Sequence, residues 1–244
     1  MFEKPTLTII GFGAFGALAA ASLAPHLRVI VHDPSPHARD AALAAGFDVL
    51  DDLARIEGEF ILLAVPVPAL EGCLTRLAPH LRPGQVVIDT CSIKEEPARL
   101  MRHLLPPGVD GLPTHPMFGP NSAARGLRGL RIVLCPQGVK WRRIAAFLRA
   151  RLGLQVILTS PEDHDRQAAV GQGLVHLLAH AFDAVGAPAI RTSSFDLLTD
   201  AFAMVRSDPP EVFSAITRGN RHMADARERL VRAIADLSSV PLRP

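Results

Sequence analysis

Residues 6 to 16 read Thr6-Leu7-Thr8-Ile9-Ile10-Gly11-Phe12-Gly13-Ala14-Phe15-Gly16. An apolar, β-rich run breaks into glycines at a G-x-G-x-x-G spacing, and an alanine-rich stretch with helical character follows at once. This order predicts a strand, a tight turn and a helix whose N-terminus faces the turn. Gly11 permits the turn, Gly13 leaves room for a pyrophosphate against the backbone, and Gly16 lets the helix lie close on its strand. The unpaired N–H groups of the first helical turn then form an anion site. Gly11, Phe12, Gly13, Ala14, Phe15 and Gly16 are therefore all assigned to a dinucleotide. A second apolar run, Arg28 to His32, ends at Asp33, the place for an acid that holds a ribose diol. A carboxylate there accepts from a 2′-hydroxyl and repels a 2′-phosphate, which favours NAD. Arg39, several residues on, leaves NADP possible.

The same alternation continues outward from this segment. Short β-rich runs at 7–10, 29–32, 60–65, 86–89 and 132–135, with 154–158 as a last strand, alternate with helical stretches near 14–23, 37–45, 69–80, 94–104 and 141–152. The pattern predicts an α/β fold with a doubly wound parallel sheet and right-handed crossovers. Val65 and Pro66, where the 60–65 run ends, join the cofactor set, because dinucleotides lie at the carboxyl ends of such strands. From Ser160 onward the strand-like runs stop. Ser160-Pro161-Glu162-Asp163 reads as a helix start, and helical periodicity runs over 162–185, 190–205, 210–218 and 220–237. We place a boundary near residue 159, giving a dinucleotide-binding domain (1–159) and a helical domain (160–244). A helical domain this small gains burial by packing on a twin chain, so a homodimer is expected.

Bulk properties narrow the function classes. Hydrophobic residues make up 48% and charged residues 20% of the 244 residues, and the formal net charge is +2, which favours neither nucleic acid nor an anionic membrane as partner. Basic clusters at Trp141-Arg142-Arg143 and between Arg218 and Arg232 read as solvated helix faces. Cys73, Cys91 and Cys135 are an odd, widely spaced set that implies neither disulfides nor a metal knuckle. Gly11 interrupts the first apolar run, so no secretory signal is read, and no apolar stretch reads as a bilayer span. A cytoplasmic location follows as the expectation.

A cofactor at the carboxyl ends of the strands leaves the substrate between the two domains. The polar residues that end the later strands are then the ones to inspect: Asp89-Thr90-Cys91-Ser92-Ile93-Lys94 and Thr114-His115-Pro116-Met117-Phe118-Gly119-Pro120. His115 follows a predicted strand over 111–114 and is fixed by the next proline. Imidazole titrates near neutrality, so a histidine there can take a proton from an alcohol while hydride leaves the same carbon. The plainer reading is a hydrogen-bonded structural histidine, one of ten in the chain.

With these residues in view, the chain resembles the prephenate/arogenate dehydrogenases of tyrosine biosynthesis, the cyclohexadienyl dehydrogenases. The resemblance rests on Gly11-Phe12-Gly13-Ala14-Phe15-Gly16, on Asp89-x-x-Ser92-x-Lys94, on His115-Pro116-Met117-x-Gly119 and on His164-Asp165-Arg166. It implies a Rossmann-type domain followed by an all-helical dimerisation domain. It also implies NAD(P)-dependent oxidation of a 4-hydroxycyclohexadiene with loss of the ring carboxylate as CO2. Prephenate would yield 4-hydroxyphenylpyruvate, and arogenate tyrosine. By resemblance His115 is the base, with Pro116 and Met117 beside it on the substrate. Ser92 hydrogen-bonds near His115, the cofactor and the substrate hydroxyl, while His164, Gln172 and His176 face the substrate from the helical domain. Competing readings stay open for several of these. Ser92 also fits a helix N-cap, with Glu95 completing an S-x-x-E capping box, and Lys94 fits a surface lysine. His176 and His180 resemble a metal pair but lack a third ligand, so no metal is expected.

The sequence departs from that family at two places. Where many members carry a Thr-Arg pair whose arginine clamps the ring carboxylate, this chain has Thr199-Asp200; Arg206, Arg218 or Arg221 are the substitutes. Phe118 and Pro120 stand where many relatives have Ala and Thr, a pattern similar to the arogenate-using plant enzymes. An acidic pocket would favour arogenate, which carries an ammonium in place of the keto group. The alternatives are a dehydrogenase for an amino-substituted prephenate or another small hydroxy acid, and a non-catalytic NAD-binding module. The absence of lysine after Glu162 counts against β-hydroxyacid dehydrogenases, which use one in their helical domain.

Overall fold

The computed structural model describes residues 4–138, 140–186 and 188–239. The chain divides into two compact units, Met1–Pro161 and Glu162–Pro244.

The first unit is built on one sheet of eight strands among the described residues: β1 (Thr6–Ile10), β2 (Arg28–His32), β3 (Asp48–Val49), β4 (Phe60–Leu63), β5 (Val86–Asp89), β6 (Asp110–Pro116), β7 (Arg131–Leu134) and β8 (Gln155–Leu158). Their spatial order is β3-β2-β1-β4-β5-β6-β7-β8. The chain winds one way from β1 to β3 and the other way from β4 to β6, all in parallel. The switch point therefore lies between β1 and β4, next to the glycine turn, where an open α/β sheet offers a ligand crevice. Side-chain alternation divides the core between the two faces. Ile61, Leu63 and Val87 pack with Leu70 and Leu74 of helix α3 (Val67–Leu77) and Met101 of α4 (Glu95–Leu104). On the opposite face, Leu7, Ile9 and Leu62 pack with Ala19 and Ala20 of α1 (Ala14–Leu23) and Ala42 of α2 (Pro36–Ala44). Leu112, Ile132 and Leu134 pack under Ile144 and Ala145 of α5 (Trp141–Leu152).

The sheet departs from strict parallel winding at one pairing: β7 runs antiparallel to β6, and β8 then follows β7 in parallel. The reason is the connection. Residues 117–130 form turns without a helix, and a parallel return would require a crossover segment. Strand β3, only two residues long and paired at the edge, escaped the sequence reading because nothing periodic marks it.

The second unit is helical. α6 (Pro161–Ala168), a π-helical turn at Ala169–Gly173 and α7 (Leu174–Val185) form one continuous run. α8 (Ser193–Arg206), α9 (Pro210–Ser214), a second π turn at Ala215–Gly219 and α10 (Met223–Ser239) follow. By length and composition alone the run Pro161–Val185 could cross a membrane, contrary to the expectation that no stretch would. Within this unit it instead carries a buried His-Asp pair and packs Ala169 against Met223 and Ala226 of α10. The apolar core here is small, and large side chains such as Leu197 and Leu237 lie 72% and 75% exposed.

Candidate active site

At the end of β1 the backbone is shaped for a close approach. Gly11 has φ +98°, and a Cβ there would meet the Ala64 carbonyl oxygen at 2.4 Å. A Cβ on Gly16 would stand 2.0 Å from the Gly11 carbonyl oxygen. Gly13 is exposed with no atom near its Cβ position, and no side chain caps α1 behind it. The first-turn N–H groups are thus left to an anionic ligand. Val65 lies against Gly11, 3.3 Å from the same Cβ position, and Pro66 flanks the start of α3.

Asp33 fits a ribose. Its Oδ2 accepts from the Phe12 N–H (2.8 Å) and its Oδ1 from the Ser35 N–H (2.8 Å). A carboxylate offers about four acceptor sites, so two bonds orient it and leave lone pairs for a diol. Arg39 donates to the carbonyls of Asp33 and Pro34 (2.9 and 3.1 Å) and stands 3.5 Å from Asp51. Its guanidinium is committed locally, which weighs against a 2′-phosphate there.

Across the sheet, the D-x-x-S-x-K stretch forms a buried clamp. Lys94 is fully buried, not a surface lysine, and donates to Asp89 Oδ2 at 2.5 Å and to the Thr114 carbonyl at 2.6 Å. Asp89 also accepts from the N–H groups of Cys91 (2.9 Å) and Thr114 (3.0 Å). The Thr114 hydroxyl donates back to the Asp89 carbonyl at 2.5 Å. A buried ion pair persists only when its remaining polar atoms are satisfied, and here they lock the end of β5 to the residue preceding His115. The motif's Asp and Lys, given no firm role by sequence alone, tie the turn after β5 to Thr114 of β6. Burial pushes the Cys91 thiol, in the same turn, well above its usual range, so it is a packing group and not a nucleophile.

His115 lies inside β6, opposite Val133 of β7, and not in a loop after the strand. It is 4% exposed, Pro116 follows it in the same strand, and Met117 is exposed beyond. Ser92 is half-buried in the turn after β5. The capping-box reading of Ser92 does not hold, because α4 starts only at Glu95, with Lys94 as its flanking residue.

In the helical unit, His164 and Asp165 are buried and paired, Nδ1 to Oδ1 at 2.7 Å. Asn220 donates to the Asp165 carbonyl at 2.6 Å and accepts from the His222 N–H at 2.9 Å. His164 is therefore tied into a structural network that ordinary sequence cues do not mark. One turn apart, Gln172 and His176 behave differently. Gln172 Oε1 and His176 Nδ1 are buried with no hydrogen-bond partner among the described residues. Such atoms cost free energy unless a ligand or water meets them. The π turn that carries Gln172 is a geometry often found at functional positions. His176 Nε2 faces Asp208 Oδ2 at 3.5 Å. Burial, with a smaller contribution from His180, holds the imidazole below its ordinary value, and burial raises the Asp208 carboxyl. Asp208, between α8 and α9, was not foreseen; its only sequence sign was its place beside two prolines. No group of three metal-ligating side chains exists among the described residues, so His176 and His180 lack a third ligand here. Of the substitute arginines, Arg206 pairs with Asp183 and Arg221 with Glu162. Arg218 is exposed and has no acidic partner among the described residues.

Residues 17–150 match the family model for the nucleotide-binding domain of prephenate dehydrogenase. The chain is 29% identical over 204 residues to a probable arogenate/prephenate dehydrogenase of Methanocaldococcus jannaschii, covering 77% of this chain and 44% of that protein. It is 30% identical over 238 residues to the chloroplastic arogenate dehydrogenase 2 of Arabidopsis thaliana, covering 92% and 66%. The chain thus spans less than two thirds of the length of these curated relatives. In fold it is similar to the crystal structure of prephenate dehydrogenase from A. aeolicus in complex with hydroxyphenyl propionate and NAD+, with TM-score 0.78 at 20% identity over 97% of this chain and 90% of that one.

Proposed function

Since the chain belongs to the prephenate dehydrogenase family, we propose that it carries out the NAD-dependent oxidative decarboxylation of prephenate or arogenate. The products are 4-hydroxyphenylpyruvate or tyrosine, with CO2. The observation that carries this reading is that one sheet holds both the glycine cradle with Asp33 and the strand-end imidazole of His115. The cradle fits NAD: open at Gly13, uncapped at α1, with an acid that keeps free lone pairs and an Arg39 already engaged.

When bound, NAD+ supplies the acceptor for the hydride leaving ring carbon 4. His115 takes the proton of the 4-hydroxyl as that hydride departs. The bond from ring carbon 1 to its carboxylate then breaks, and its electron pair runs through the ring to the oxygen. That oxygen takes the proton back from His115, so the step consumes no net proton and the ring becomes aromatic. With 4% of His115 open, the hydroxyl has to reach the imidazole itself, and bulk water has little access. Ser92 holds the same hydroxyl, and the Asp89–Lys94 clamp keeps the strand ends in register.

In the helical unit, Gln172 and His176, whose buried polar atoms lack partners among the described residues, serve substrate binding, while His164, paired with Asp165, holds that segment in place. With Nε2–H directed toward Asp208, His176 Nδ1 is an acceptor. Gln172 Oε1 is another and Asp208 is an anion, so this cluster suits a group rich in donors. That favours arogenate, whose ammonium supplies them, while Arg218 is free to meet a carboxylate. The exposed apolar side chains of α7, α8 and α10, Val185, Leu197 and Leu237 among them, support a homodimer through the helical unit. The buried, reduced cysteines suit the cytoplasm.

The test is NADH formation with prephenate and arogenate, each with NAD and NADP. Turnover with arogenate and NAD is expected, and silence with all four combinations rejects the reading. Asp208→Asn should cut the arogenate-to-prephenate ratio of kcat/KM about tenfold or more, the scale of one charge-assisted bond. An unchanged ratio rejects the ammonium assignment alone.

A further inference from the structure

The face of the sheet that carries α1 and α5 is not fully covered. The apolar contacts of α1 lie over β1 and β2, and those of α5 over β6 and β7. The strip above β4 and β5 is left without a helix. It forms a cleft of about 510 Å³ floored by Leu62 and Ile88 and walled by Leu18 of α1 and Leu148 of α5. Ring pairs bridge its two ends: Phe15 with Phe118 at 6.2 Å and His26 with Phe147 at 5.7 Å. The cleft runs along the strands, from Pro5 and His26 at one end to Thr90 and Phe118 at the other. Four residues of strand correspond to about 13 Å, so a body longer than it is wide fits.

The charges on its rim have one sign. No aspartate or glutamate lines the cleft among the described residues, whereas Arg143 and Arg151 do. Arg143 is offset by Glu59 at 3.1 Å and lies over the Phe60 ring. Arg151 has no acidic partner among the described residues. A hydrophobic trough of this size is within the range of small-molecule sites, and a lone guanidinium at its mouth selects a carboxylate.

We infer that this cleft, whose upper end is lined by Phe15, Thr114 and Pro116 below the candidate active site, is a second ligand site for a linear fatty monocarboxylate whose chain lies over β4 and β5 and whose head meets Arg151. The fluorescent fatty acid cis-parinarate, titrated into the full chain below its micelle concentration, should bind saturably at one per chain. Competition with saturated carboxylates of six to twelve carbons should tighten about fourfold per methylene until the cleft is full. Arg151→Ala should weaken the carboxylates about tenfold and leave dodecanol unchanged. Ser22→Trp, which places an indole in the cleft from α1, should abolish both, with circular dichroism confirming the fold. Affinity independent of chain length would overturn the proposal. So would wild-type binding by both variants, or binding seen only when the acid is presented in phosphatidylcholine vesicles.

Discussion

Replacing Lys94 with Met probes the clamp beneath His115. The ammonium and the Asp89 carboxylate are both fully buried, 2.5 Å apart, and methionine keeps the volume while removing the charge. Asp89 then stays buried with its two N–H partners and no cation. Removing one member of a buried pair costs about 3–5 kcal/mol. At about 2–4 °C per kcal/mol for a unit of this size, the Tm should fall by about 6–20 °C. Urea unfolding followed by circular dichroism measures the loss directly. Asp89→Asn combined with Lys94→Met removes the orphaned charge as well, so the double variant should recover about 2–3 kcal/mol relative to the sum of the singles. The Thr114 carbonyl loses its donor in Lys94→Met, so kcat should fall at 20 °C while cofactor binding holds. A cost below about 1 kcal/mol, or a double variant as unstable as the sum of the singles, would refute the clamp.

The remaining expectations concern the cofactor, the base and the helical unit. His115→Asn should lower kcat by about 10²–10⁴ with the Kd for NAD unchanged by fluorescence titration; near-normal turnover ends its role as base. Asp33→Ser should weaken NAD and narrow the NAD-over-NADP ratio of kcat/KM, and an unaltered ratio contradicts the ribose assignment. His176, held below its ordinary value of 6.5 by burial, gives stability that is present above pH 6.5 and is lost as the pH falls below it, because the unfolded chain then binds the proton more readily. The urea midpoint should therefore drop between pH 7 and pH 5 in the native chain and drop less in His176→Leu; equal slopes would place the acid sensitivity elsewhere.

Much of this protein was legible in the linear order of its residues. Strand, glycines and helix follow one another directly and the next strand brings Asp33 back to the Phe12 N–H, so the turn from Gly11 to Gly16 and the acid beside it were readable from spacing alone. The helical character after Ser160 was equally plain, because a 3.6-residue period is a local property. The reversal at β7 was not legible, since strand direction depends on what the connection can span. Lys94 misled because burial of a charge depends on partners 5 and 20 residues away. Asp208 was hidden for the same reason, meeting His176 from a loop more than thirty residues on.

By itself the chain's order of residue types determined the nucleotide cradle, the division into a winding sheet and a helical part, and the histidine to watch. These follow from backbone sterics and period, which neighbours along the chain set. Only the tertiary structure decided which side chains are paired, orphaned or committed: the Asp89–Lys94 clamp, the engaged Arg39, the unmet Gln172 and His176, and the uncovered strip of sheet. Those outcomes depend on desolvation and long-range packing, which no local window of sequence contains.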